Sequence, residues 1–166
     1  AASDVYKRQD KELGVVVLDI GAGTTDISCW EKGQVEFTAV AGMGGNTIQR
    51  DIAAVLGCNM SDAEDIKLTY GHWPLRPEDA YETVRYTRES TGEPDSCSCE
   101  KIVMTVESRL TEMFKVIART YLSPDGWNLR ASAGIVLTGG VARMPGIAEL
   151  AHHVLGLPVR VGMPLM

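Results

Sequence analysis

The feature that most limits the folds open to this chain is an apolar strand that runs into a glycine turn and comes straight back. Residues 14–20 read GVVVLDI, a short β-branched run of the kind that forms a buried strand. Residues 21–25, GAGTT, make a small-residue turn, and residues 26–30, DISCW, return as a second strand. Glu31-Lys32-Gly33 is a hairpin loop. Residues 34–40 then alternate, which places Val35, Phe37 and Ala39 on one face of a third strand. The meander stops at Gly42-Met43-Gly44-Gly45.

Helical spacing follows. Ile48, Ile52, Val55 and Leu56 fall on one stripe, with Asn46 as the expected N-cap and Gly57 as the stop. Ser61 and Glu64 have the spacing of a capping box that opens the next helix. Residues 71–98 are rich in Pro, Gly, Ser and charge, and read as loops with one or two short strands. A longer helix spans 101–120, with Val103, Val106, Leu110, Met113, Phe114 and Ile117 on its stripe. A fourth strand at 134–138, a helix at 145–155 and a fifth strand at 159–161 complete the pattern. Three strands, helices, then helix–strand–helix–strand give an α/β fold, a mixed sheet with helices on its faces. A covering helix is expected after the fifth strand. The chain reads as a fragment that leaves apolar side chains on one sheet face uncovered. Residues 1–13 read as an unstructured or extraneous leader.

Composition narrows function by exclusion. The 166 residues carry 16 Lys plus Arg against 22 Asp plus Glu, a net charge of −6. That balance is opposite to the basic face of a general nucleic-acid binder. No apolar run is long enough to span a bilayer. Cys29, Cys58, Cys97 and Cys99 form no disulfide framework, which suits a reducing cytoplasm. Cys97 and Cys99 supply too few ligands for a zinc site. His152 and His153 share a helix end and read as non-ligands, and His72 has no visible partner. Trp30, Trp73 and Trp127 are scattered and suit packing.

Two clusters carry possible chemistry. In the first, Asp19 to Asp26, Gly21 and Gly23 allow backbone N–H groups to approach an anion, and the Thr24 hydroxyl adds a donor. Asp19 and Asp26 would repel a phosphate directly, but suit a hydrated Mg²⁺ beside it. A plain glycine hairpin with acidic strand ends explains the same residues. In the second, Val136-Leu137-Thr138-Gly139-Gly140 runs from a strand into a turn and then Met144-Pro145-Gly146, a helix start. Such turns lie at the carboxyl edge of a sheet, where α/β folds bind ligands. A tight strand-to-helix loop also needs glycine there.

In this order and about 115 residues apart, the two clusters resemble the second phosphate motif and the adenosine motif of the actin, sugar kinase and heat-shock chaperone ATPase superfamily. Within it the chain is most similar to the bacterial cell-division family FtsA. The segments that carry the likeness are GVVVLDIGAGTTDIS, GGNTIQRDIAAVLG, SDAEDIK and GIVLTGGVARMPGIAELAHHVLGLPVRVGMP.

The resemblance implies a ribonuclease-H-like second lobe over residues 14–166, with 46–100 as an inserted smaller subdomain. It implies ATP and Mg²⁺ as cofactors. Asp19, Gly21, Ala22, Gly23, Thr24 and Asp26 would surround the phosphates and metal-bound water. Superfamily members often carry a third glycine where Ala22 stands. Glu64, Lys67, Gly139, Gly140 and Met144 would meet the adenosine. Glu64 has a purely structural alternative as the capping-box partner of Ser61, and Lys67 as its i, i+3 ion pair. The family's role implies filament formation and tethering of the tubulin-like FtsZ, through its C-terminal tail, to the inner membrane at the division septum. Arg109 is the candidate grip for that tail, with a surface pair to Glu112 as its alternative. The membrane-tethering helix and the first-lobe phosphate motif are not in this sequence, so at most weak ATPase activity is expected of it. Rod-shape, pilus-assembly and chaperone ATPase relatives, and a module that binds no nucleotide, are the competing readings.

Overall fold

The computed structural model describes residues 8–162. The first seven residues of the expected leader and residues 163–166 lie outside that range. The leader expectation is corrected over its last six residues. Arg8–Leu13 forms a short helix, α1. Its Lys11 and Glu12 carbonyls accept hydrogen bonds from the backbone N–H groups of Gly33 and Lys32 at the first hairpin loop. The Lys11 ammonium lies 4.8 Å from the Trp30 ring centroid. What orders this polar segment is contact with the sheet, which local periodicity does not report.

Strands β1 (Val15–Ile20), β2 (Thr25–Glu31) and β3 (Gln34–Ala41) make the antiparallel meander. Helices α2 (Gly45–Leu56) and α3 (Met60–Tyr70) follow, then a small hairpin of β4 (Thr83–Thr87) and β5 (Pro94–Ser98). Helix α4 (Cys99–Ile117) leads through a π-turn and the short α5 (Trp127–Arg130) to β6 (Ile135–Thr138). Helix α6 (Ile147–Leu155) and β7 (Val159–Val161) end the described chain. The sheet order is β3-β2-β1-β6-β7, with β1, β6 and β7 parallel.

β1 is central, and its valines and leucine are buried on both faces. Val16, Leu18 and Ile20 join the main core with Ile48 and Ile52 of α2, Leu110, Met113 and Phe114 of α4, and Leu150 of α6. Val15, Val17 and Val136 form a smaller cluster on the other face with Trp30 and Ala133. These three valines are at most 3% exposed, so the expectation of an uncovered apolar sheet face is corrected at the centre of the sheet.

One strand assignment changes face. Phe37 pairs with Cys29, whereas Val35 pairs with Trp30, and the register shifts between them. The extra residue, Glu36, is a β-bulge. Val35 is thereby turned away from Phe37 and Ala39 and is exposed. A two-residue period cannot announce such an insertion.

Both expected helix caps are corrected. α2 begins at Gly45 rather than after Asn46, because the Gly45 and Asn46 N–H groups already have acceptors in the 21–24 turn. α3 is capped by Asn59, whose side chain accepts from the Asp62 N–H at 2.8 Å. Ser61 and Glu64 therefore form no capping box.

Candidate functional site

The turn between β1 and β2 is held from behind. The Gly21 N–H donates to the Thr24 carbonyl at 2.9 Å, closing the turn. The Gly21 and Ala22 carbonyls accept from the Gly45 and Asn46 N–H groups at 2.9 and 2.7 Å. These are two of the first-turn donors that a helix leaves unsatisfied. The arrangement fixes the turn with its carbonyls toward α2. The N–H groups of Ala22, Gly23 and Thr24 have no acceptor among the described residues, and these residues are exposed. A row of such donors is an anion-binding concavity.

Asp19 sits at the end of β1, directly opposite Asp26 on β2 and Thr138 on β6. Partial burial, and then the nearby Asp26 charge, push the Asp19 carboxyl above its ordinary range. A carboxylate whose ionisation is disfavoured by burial and by a like charge opposite it suits a hard, oxygen-seeking cation such as Mg²⁺ beside a phosphate. Among the described residues no group of three His, Cys, Asp or Glu side chains is placed to hold a metal by itself. Gly139 explains its own identity: φ is +90°, and a Cβ there would lie 2.5 Å from Asp19 Oδ1.

A cavity of about 300 Å³ opens beside the turn, between α3 and the loop after β6. Gly21, Ala22, Gly45, Lys67, Gly140 and Met144 contribute to its lining, with Leu68 and Val141 making it largely apolar. The Lys67 ammonium donates to Gln49 Oε1 at 3.0 Å and to the Gly45 carbonyl at 3.4 Å. Burial lowers its pKa, against a raising contribution from Glu64. The expected Lys67–Glu64 ion pair does not form.

The structure thus brings Gly21, Ala22, Lys67, Gly140 and Met144 to one cavity. Gly23 and Thr24 lie on the exposed turn beside it, and Asp26 is exposed at the start of β2. Gly139 packs behind Asp19, and Glu64 is exposed on α3 without lining the cavity. Sequence reasoning missed Gly45, Leu68, Gly71, Val141, Arg143 and Pro145 of the lining, and Gln49, which holds Lys67. The one available signal was Gln49, a polar residue beside Ile48 on the apolar stripe of α2, where it is 8% exposed.

For Arg109 the expected alternative, a pair with Glu112, is replaced by another. Its guanidinium closes on Asp51 of α2, with Nε to Oδ2 at 2.6 Å and a terminal nitrogen to Oδ1 at 3.1 Å. One edge of the guanidinium, Nε and one terminal nitrogen, is used inside the chain, and the hydrogen-bonded carboxylate is that of Asp51 rather than Glu112. A separate groove of about 470 Å³ runs along α4 from its start to Ser108, next to Arg109. Val55 of α2, Ser98, and Glu100, Lys101, Met104, Thr105 and Ser108 of α4 line it. Val55 and Met104 are exposed there. No helix among the described residues is long and apolar enough to cross a membrane.

Comparison with known proteins gives a consistent result. A family model described as "Cell division protein FtsA" matches residues 16–166. The FtsA of Pseudomonas aeruginosa is 36% identical over 164 residues, covering 99% of this chain and 39% of that protein. The Escherichia coli K12 FtsA is 34% identical over 167 residues, covering 97% and 40%. The chain thus spans about two fifths of the curated relatives' length. Among solved structures, MreB5 of Spiroplasma citri bound to ADP matches with a TM-score of 0.70 at 22% identity, over 93% of this chain and 50% of that one. A PilM–PilN type IV pilus biogenesis complex matches with a TM-score of 0.67 at 20% identity, over 93% and 37%. At that identity the structural likeness establishes an actin-like fold.

Proposed function

The chain belongs to the FtsA family of cell-division proteins, and on that premise we propose that it forms one wall of an ATP–Mg²⁺ site in an actin-like division scaffold. One observation carries the reading. The 21–24 turn is anchored through its carbonyls to α2 and offers its N–H groups at the mouth of a largely apolar cavity. An apolar slot with an anion cradle at one end matches the two halves of a nucleotide. Lys67, Gly140 and Met144 contact the nucleoside, with Glu64 at the rim. Gly21, Ala22, Gly23 and Thr24 hold the phosphates. Asp19 and Asp26 would hold a hydrated Mg²⁺, which would supply charge neutralisation to the phosphates when bound. Gly139, lacking a Cβ, leaves the Asp19 carboxylate the space it occupies.

The partners follow from the same reading. The full-length protein self-associates into filaments and receives the extended C-terminal tail of FtsZ, which becomes ordered on docking. The inserted subdomain, residues 46–100, borders the 470 Å³ groove. That groove combines apolar anchors, Val55 and Met104, with one charge of each sign, Glu100 and Lys101, as a tail of apolar anchors and charges requires. Lys101 takes the place expected of Arg109. Tethering places the protein at the cytoplasmic face of the inner membrane, at the division septum. Rod-shape and pilus relatives share its fold at 20–22% identity, well short of the FtsA match.

The test exploits empty space. A Cβ added at Gly23 meets nothing within 4 Å, and its φ is not in the left-handed region. Gly23→Ala therefore leaves the fold intact and places a methyl group where phosphate approaches. In the full-length protein, titration with a fluorescent ATP analogue is expected to show at least about tenfold weaker binding, the effect of losing one or two charge-assisted hydrogen bonds. Equal affinity for parent and variant refutes the phosphate assignment.

A further inference from the structure

Between the cavity and the groove lies a segment to which neither function assigns a role. We propose that His72-Trp73 is a coupling joint that transmits occupancy of the cavity to the first turns of α4; the proposal rests on the reading of the cavity as a nucleotide site. On the cavity side, Gly71, Met144 and Pro145 are lining residues. The Trp73 N–H donates to the Pro145 carbonyl at 3.0 Å. The Trp73 carbonyl is seated so closely on Gly146 that an added Cβ would lie 1.7 Å from it. The Trp73 ring also sits 6.1 Å from that of His153 on α6. Any displacement of the 144–146 loop by a ligand must therefore displace Trp73.

On the groove side, the neighbouring His72 is 4% exposed and faces Asp79, 5% exposed, with Nε2 3.2 Å from Oδ2. Asp79 also accepts from Arg76 Nε. The Asp79 carbonyl accepts from the Glu82 N–H at 3.1 Å, and the Glu82 carbonyl accepts from the Cys99 N–H at 3.0 Å. Cys99 is the first residue of α4, flanked by the groove residues Ser98 and Glu100. Every step is a direct contact, with no solvent gap.

The joint also has a reason to adopt two arrangements. His72 Nε2 is buried and close to Asp79, yet makes no aligned hydrogen bond. A buried polar group without a well-formed bond is costly, so a small shift that aligns it lies close in free energy. A ligand that contacts the 144–146 loop biases such an equilibrium.

The experiment is amide hydrogen exchange on the full-length protein, with and without saturating Mg–ATP, following peptides over residues 140–146 and 98–108. In the parent, nucleotide is expected to slow exchange at 140–146 directly and at 98–108 by about fivefold, the lower range of site-to-site coupling. In His72→Gln, and in the near-isosteric Asp79→Asn, slowing at 140–146 is retained and that at 98–108 falls to less than about twofold. Retention of the full remote effect in the folded variants overturns the proposal. So does its absence in a parent that shows the direct effect. Absence of both effects in the parent refutes the nucleotide reading, and this proposal falls with it. Should His72→Gln fail to fold, Asp79→Asn decides alone.

Discussion

Gly44→Ala tests the idea that the 21–24 turn is held from behind. A Cβ at Gly44 would lie 2.5 Å from the Gly21 carbonyl oxygen and 2.7 Å from that of Ala22. Both are backbone atoms and cannot swing aside as a side-chain end would. Restoring a contact of about 3.5 Å requires the turn to retreat from α2 by roughly 1 Å. The Gly45–Gly21 and Asn46–Ala22 bonds, now 2.9 and 2.7 Å, would then stretch beyond hydrogen-bond range. Two such bonds contribute about 1–3 kcal/mol together. Alanine is also a poorer N-cap than glycine, by up to about 1 kcal/mol. The expected loss is therefore about 1–4 kcal/mol. Urea unfolding of the full-length protein measures it, with Gly42→Ala as the control, since a Cβ at Gly42 meets nothing within 4 Å. Nucleotide affinity should fall in parallel, because the phosphate donors lose their support. If the two variants unfold at the same urea concentration, the anchoring argument is wrong.

The Asp19 carboxyl is raised from its ordinary 3.8, so the folded state binds more protons than the unfolded state above that pH, and stability declines as pH rises through the folded value. Asp19→Asn should accordingly be more stable than the parent at pH 7, with the difference closing below pH 3.8, while Mg²⁺-dependent nucleotide binding is lost; thermal melts across pH and titrations with and without Mg²⁺ check both halves. Arg109→Ala should cost about 1 kcal/mol through the partly exposed Asp51 pair, and a double-mutant cycle with Asp51→Ala should recover most of that as coupling. In fluorescence anisotropy with an FtsZ-tail peptide, Lys101→Ala should weaken binding several-fold and Arg109→Ala should leave it unchanged. The reverse order would restore Arg109 to the interface.

Much of the architecture was legible locally. The β-branched run at β1, the alternation near Phe37 and Ala39, and the stripe from Val103 to Ile117 each report burial through their own period. The two glycine clusters announced where the backbone must turn sharply, and their order pointed to the superfamily. What the sequence could not determine were contacts between segments far apart in the chain. The first two N–H groups of α2 are satisfied by carbonyls more than twenty residues earlier, and the side chain that reaches back to its N-cap, Thr47, lies inside the helix, so no residue before the helix marks its start. Glu36 reads as part of an alternating strand, and only pairing with β2 reveals it as the bulge that turns Val35 outward. Arg109 and Glu112 have the spacing of a helix pair, but tertiary packing places Asp51 on the facing helix with both carboxylate oxygens aligned to the guanidinium. Likewise Lys67 had Glu64 one turn away and took Gln49 of α2 instead. Period and propensity act within a few residues. Which carboxylate an arginine meets, or which carbonyl satisfies a helix end, is settled when the helices and sheet close on their common core.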